Sequence, residues 1–185
     1  FGAQHSQAVE NWVFTVPGLK IAAPSTPADV VGMMASAIRS DDPVMFFEHK
    51  GLFASKGEPA PPEHVVPLGK AAVVRPGDDV TIVALASTVP TALSAAERLA
   101  RENISIEVID LRCLVPLDAK TVLASVAHTS RLVLVEENPY QGGWGGTVAS
   151  IVADEGFESL DAPIRRVASE CVPLPFADAL EDAVI

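Results

Sequence analysis

The chain has 185 residues and a mass of 19.4 kDa, enough for one ordinary domain with part of another. Hydrophobic residues make up 49% of it, yet no apolar run reaches the roughly 18 residues of a membrane span, so the composition reads as a soluble globular chain. A formal net charge of −11 excludes a general phosphate-backbone binder, which needs a basic face, but leaves an acidic surface for a basic partner.

Residues 1–17 open with the polar cluster Gln4-His5-Ser6-Gln7 and then place Val9, Trp12, Val13 and Val16 at helical spacing, predicting a helix that Pro17-Gly18 stops. Residues 19–23 read as a strand. Thr26, Pro27 and Asp29 supply an N-cap, a first-turn proline and an early negative charge for a helix whose expected buried stripe is Val30, Met34 and Ile38. A strand over 44–47 follows Pro43. A strand, helix, strand run of this size cannot close a domain, so residues 1–50 are expected to be the last part of a larger α/β domain. Residues 51–67, broken by Gly51, Gly57, Pro59, Pro61, Pro62 and Pro67, predict an extended linker.

Residues 68–185 read as a whole domain. An edge strand over 71–74 precedes the Pro76-Gly77 turn, and 80–86 is an apolar strand of the kind covered on both faces. A helix over 90–102 turns Leu93, Ala96, Leu99 and Ala100 inward. Residues 104–137 form one strand, helix, strand unit, with Asp118 capping a helix that carries Val122, Leu123 and Val126. A helix over about 146–157 and a strand over 164–167 complete a mainly parallel sheet flanked by helices.

His5 is the most informative single residue, because an imidazole among amides exchanges protons near neutrality. The Gln141–Gly146 run, QGGWGG, follows a strand and opens a helix, but no GxGxxG passes through it, so a tight turn that lets Trp144 pack is the reading. Glu136 and Glu137 fall at the carboxyl end of a parallel strand, where α/β sheets place ligands, although solvated or capping carboxylates are the simpler role. His49, His64 and His128 carry no recognisable metal spacing. Cys113 and Cys171 make no CxxC pair and are expected as small buried residues of a protein from a reducing compartment.

The ordered series AQHSQ, PGLKIAAPSTPAD, SAIRSDDPV, PLGKA, VIDLR, VEEN, QGGWGG and LDAPIRRV spans nearly the whole chain. It resembles the beta subunit of the thiamine-diphosphate-dependent 2-oxo acid dehydrogenases, the family acting on pyruvate, branched-chain 2-oxo acids or acetoin. The resemblance implies a transketolase-type C-terminal domain over 68–185, preceded by part of a pyrimidine-binding domain over 1–50. It also implies a chain shorter than its relatives, inactive alone, whose intact enzyme decarboxylates its substrate and acylates lipoamide in the bacterial cytoplasm or mitochondrial matrix. By the same resemblance His5 assists proton transfer and lipoyl acylation. Ala37, Ile38, Ser40 and Asp42 match a potassium site, from which this chain departs in having Ser40 and Asp42. Asp161 matches an aspartate that docks the peripheral-subunit-binding domain of the acyltransferase core.

Thiamine diphosphate and magnesium would be held mostly by residues outside this sequence, with an alpha subunit and a second beta subunit as partners. Two other readings stand beside this one. The first is a transketolase or deoxyxylulose-phosphate synthase, whose sugar phosphates call for basic residues that are not found here. The second is an assembly module without chemistry.

Overall fold

In the computed structural model, which describes residues 5–185, eight strands fall into two sheets. The larger has β3 (Ala72–Arg75), β5 (Ile106–Asp110), β4 (Val80–Ala84), β7 (Leu132–Pro139) and β8 (Arg165–Ser169) in that spatial order. Every pairing in it is parallel except β3 with β5, so β3 is the edge strand its sequence predicts, and the structure adds that it runs antiparallel. Alternate residues of the inner strands feed two cores. Ile82, Ala84, Ile106 and Val108 meet Val89, Ala92 and Ala96 of α2 (Thr88–Ala100) on one face. Val83, Ile109, Leu132 and Leu134 meet Val122 and Val126 of α3 (Ala119–Thr129) and Trp144, Val148 and Val152 of α4 (Trp144–Glu155) on the other. Thr81 sits beneath α3 as a satisfied buried hydroxyl, bonded to Ser125 and to Thr129 (2.7 Å).

The smaller sheet sets β1 (Lys20–Ala22) between β2 (Val44–Phe46), parallel to it, and β6 (Cys113–Val115), antiparallel to it. The expectation of one uninterrupted strand, helix, strand unit over 104–137 is corrected here. After β5 the chain leaves the large sheet, pairs with β1, and only then enters α3. Arg112 turns the backbone at φ 59, and its carbonyl accepts the Ala23 amide at 2.8 Å. No hydrophobic pattern marks this departure, because Cys113, Leu114 and Val115 are apolar either way.

The predicted helix over 9–16 is reduced to a 3-10 turn, Glu10–Val13, with no side-chain cap. Val13 and Phe14 pack against the main core, but Trp12 is 70% exposed and Val16 is also exposed, so the expected stripe of Val9, Trp12, Val13 and Val16 is not buried as one helical face. In α1 (Pro27–Ile38) the expected cap holds, with Thr26 Oγ1 accepting the Asp29 amide at 3.1 Å, but the buried face is Asp29, Gly32 and Met33. Ile38 is 77% exposed. Two contacts rotate the helix: Arg112 pairs with Asp29, and the chain at 64–66 crosses so closely that a Cβ on Gly32 would meet Val66 and His64. The segment expected as a free linker is thus docked, its Val66 amide bonded to the Gly32 carbonyl. Ala100 is exposed in α2, and Cys171 is exposed while Cys113 is buried.

Candidate functional site

Where the N-terminal turn, the chain after β2 and the carboxyl end of β7 converge, they enclose a cavity of about 480 Å³. His5, Glu10, Phe47, His49, Lys50 and Glu137 are on its wall. Each polar group is brought by a different element. Glu10 comes from the 3-10 turn, where Asn138 reaches it from β7 at 3.4 Å. His49 caps the short turn Lys50–Leu52, its Nδ1 accepting the Gly51 amide at 3.1 Å. Glu137 comes from β7 and receives His49 Nε2 at 3.0 Å.

The environments of the two carboxyls pull them apart. Burial raises Glu10 above the ordinary glutamate range. Burial acts on Glu137 in the same sense, but the hydrogen bond and charge of His49 outweigh it and hold Glu137 below that range. The same bond raises His49. The cavity therefore combines two carboxyls whose surroundings shift them in opposite directions with two imidazoles, a set suited to acid–base chemistry. A smaller pocket of about 270 Å³, lined by Ser25, Thr26, Val30, Leu52 and Phe53, shares Glu48 and His49 with it.

His5 is exposed on the larger cavity's wall, in a turn and not at a helix start. Its neighbour Gln4 lies outside the described residues. Ala37, Ile38, Ser40 and Asp42 are together at the end of α1, but a cation already meets the side chains: Lys20 Nζ donates to Ser40 Oγ at 2.9 Å and pairs with Asp42 at 3.1 Å. Among the described residues, no group of three or more His, Cys, Asp or Glu is placed to hold a metal ion. Asp161 is exposed beside the start of β7, its amide bonded to the Ser130 carbonyl and its carboxylate 3.8 Å from Arg131. Beside it the end of α4 carries Asp154 and Glu155, and the 3-10 turn Phe157–Ser159 that follows adds Glu158 and Phe157, which is 70% exposed.

Glu136 and Glu137, adjacent in β7, take different roles because the pleat sends them to opposite faces. Glu136 is fully buried, paired with Arg166 and accepting the Gly145 amide at 2.9 Å. It organises the QGGWGG turn, where a Cβ on Gly143 or Gly145 would strike its carboxylate, and Trp144 is buried as expected. Glu137 faces the cavity. Sequence reasoning missed Glu10 and passed over His49; strand-end position was the one signal, and it pointed to Glu136 and Glu137 together without separating the buried acid from the one at the cavity.

The sequence model of the family described as "Transketolase, C-terminal domain" matches residues 69–185, and that described as "Transketolase, pyrimidine binding domain" matches residues 2–56. The chain belongs to the transketolase C-terminal domain family. Within it, the chain is 44% identical over 188 positions to the "Pyruvate dehydrogenase E1 component subunit beta, mitochondrial" of Dictyostelium discoideum, covering 100% of this chain and 53% of that protein. It is 42% identical to two Bacillus subtilis proteins. One is "Acetoin:2,6-dichlorophenolindophenol oxidoreductase subunit beta" (97% of this chain, 53% of that protein) and the other "2-oxoisovalerate dehydrogenase subunit beta" (96% and 55%). The chain spans about half the length of these relatives. A solved structure titled "Split gene transketolase, inactive beta4 tetramer" superposes with a TM-score of 0.79 at 27% identity, over 98% of this chain and 57% of that one. In transketolase-family terms, the large sheet lies in the C-terminal domain match, and β1, α1 and β2 in the pyrimidine-domain match.

Proposed function

We propose that this chain is part of the beta subunit of a thiamine-diphosphate-dependent 2-oxo acid dehydrogenase component, which decarboxylates a 2-oxo acid or cleaves acetoin and passes the acyl group to lipoamide. The supporting observation is identity of 42–46% along essentially the whole chain to subunits named for pyruvate, acetoin and 2-oxoisovalerate. On this reading residues 1–50 end a pyrimidine-binding domain, 51–67 connect, and 68–185 form the C-terminal domain of an alpha/beta assembly with a second beta subunit.

The cavity does not fit the diphosphate of the cofactor, and among the described residues no group of three or more His, Cys, Asp or Glu is placed to hold its magnesium. Lys50 is the one lysine or arginine on its wall, against Glu10, Glu48 and Glu137, and a second anionic group there would be repelled. Those groups are therefore assigned to the rest of the enzyme. What the chain itself supplies is His5, whose exposed imidazole at the cavity wall can give or accept a proton as an acyl acceptor enters. Potassium at Ala37, Ile38, Ser40 and Asp42 would rest on main-chain carbonyls, since Lys20 engages both side chains. Asp161, with the acidic rim around Phe157, suits a basic docking domain of the acyltransferase core.

The test is reconstitution of the full-length subunit with its alpha partner, thiamine diphosphate and magnesium, assaying acylation of a lipoyl domain by native and His5→Ala protein. A loss of about 100-fold or more in lipoyl acylation, with assembly and cofactor loading intact, supports the relay. Unchanged acylation removes His5 from the chemistry. No thiamine-dependent turnover in the native assembly leaves an assembly module.

A further inference from the structure

The His49 ring has both nitrogens engaged by groups that favour opposite protonation states. Nδ1 accepts the Gly51 amide, which requires that nitrogen to carry a lone pair and holds the ring neutral. Nε2 meets Glu137, whose negative charge favours a second proton on the ring. The second proton can enter only at Nδ1, and there it would face the Gly51 N–H, donor against donor. Uptake of the proton therefore breaks the cap of the Lys50–Leu52 turn.

That turn stands between the two cavities. Lys50 lines the larger one, while Leu52, Phe53 and Ser55 line the smaller. We propose that His49, Glu137 and Glu10 form a proton-binding site of the larger cavity, and that its occupancy is transmitted to the wall between the cavities through the Gly51 amide. The site is independent of the role given to His5, which shares the cavity.

The titratable groups that face the site come from several elements, and of these Glu137 and Glu10 act on His49 itself. His5 and Glu10 come from the N-terminal segment, Glu48 and Lys50 flank His49, and Glu181 acts on Glu137 from α5 (Asp178–Glu181). Glu10, raised by burial, keeps its proton further into the pH range than an exposed glutamate, which limits its repulsion of Glu137. His49 is raised above 6.5 chiefly by its bond to Glu137. The proton is thus bound on the acid side of a shifted histidine transition, and the turn is capped on the alkaline side.

The experiment follows the His49 ring nitrogens and Gly51 amide by NMR in the labelled full chain from pH 8.5 to pH 5. At high pH the ring should be the Nε2–H tautomer with the Gly51 amide protected from exchange. On acidification the ring should gain its proton and the amide should lose protection with the same midpoint. Glu137→Gln should move both midpoints down together by about one pH unit. His49→Asn, which retains a capping oxygen but does not titrate, should keep the amide bonded throughout, and His5→Ala should leave both midpoints in place. A Gly51 amide that stays protected while His49 titrates, or a His49 midpoint indifferent to Glu137→Gln, overturns the proposal. If Glu137→Gln does not fold, His49→Asn decides: an acid-induced loss of Gly51 protection in that variant also overturns it.

Discussion

At residue scale the two buried acids of the large sheet behave differently because their partners differ. Glu136 has Arg166 alongside it, with Arg166 Nε at 3.1 Å, and the same guanidinium bonds the Tyr140 carbonyl at 2.8 Å and covers the Tyr140 ring at 4.2 Å. Removing one member of a buried pair leaves an uncompensated charge, so Arg166→Met should cost about 3–5 kcal/mol in urea unfolding at neutral pH. Asp110 is also fully buried, but Ser25 and the Arg112 amide only partly offset its desolvation, and its pKa is pushed up to about 6 from 3.8. The folded chain then binds this proton more tightly than the unfolded one. The associated stability is present below about pH 4 and is lost as pH rises through about 6, a change on the order of 3 kcal/mol. Asp110→Asn has no such titration. Its stability relative to the native chain should therefore rise between pH 4.5 and pH 7.5, which denaturation at the two pH values would measure; a constant difference would contradict the assignment.

At the scale of elements, the seam between the sheets is built from short pieces that depend on one another. The first turn of α1 is fixed by Thr26, which accepts the Asp29 amide and donates to the Asp29 carboxylate at 2.7 Å. Asp29 in turn holds Arg112 at 2.6 Å, next to the β5–β6 turn. Thr26→Ala should lower stability by about 1 kcal/mol from the lost cap, visible as a drop in Tm. Because Asp29 bridges to the C-terminal domain, the amides of β6 should exchange faster along with those of α1. An effect confined to α1 would show that the seam does not transmit it. The seam also explains why the stripe of α1 is turned: a buried ion pair and a close glycine contact outweigh the apolar spacing of Val30, Met34 and Ile38.

For the whole molecule, the proposed function uses two separate surfaces. The cavity lies where the N-terminal turn, the turn after β2 and the end of β7 meet, while Asp161 and the acidic rim lie near the end of α4. Asp161 is exposed and its contact with Arg131 is long, so its charge is available to a partner. In the full-length assembly, Asp161→Lys should weaken calorimetrically measured binding of the basic docking domain by about tenfold, and the loss should shrink as salt is added. Equal binding by native and variant protein would move the docking surface elsewhere. No helix among the described residues is long and apolar enough to cross a membrane.

The α/β alternation, the Thr26 and Asp118 caps and the edge position of β3 were legible in the residues because each depends on a local preference: apolar period, cap chemistry or the stop made by proline and glycine. The packed QGGWGG turn was legible for the same reason. His5 stood out through a motif. Tertiary structure alone decided that β6 crosses to the smaller sheet, that residues 64–66 dock on Gly32, and that Glu10, His49 and Glu137 share one cavity. Those outcomes rest on desolvation, charge pairing and backbone hydrogen bonds between segments far apart in sequence. Such groups carry no common periodicity, and their partners exist only once the chain has folded.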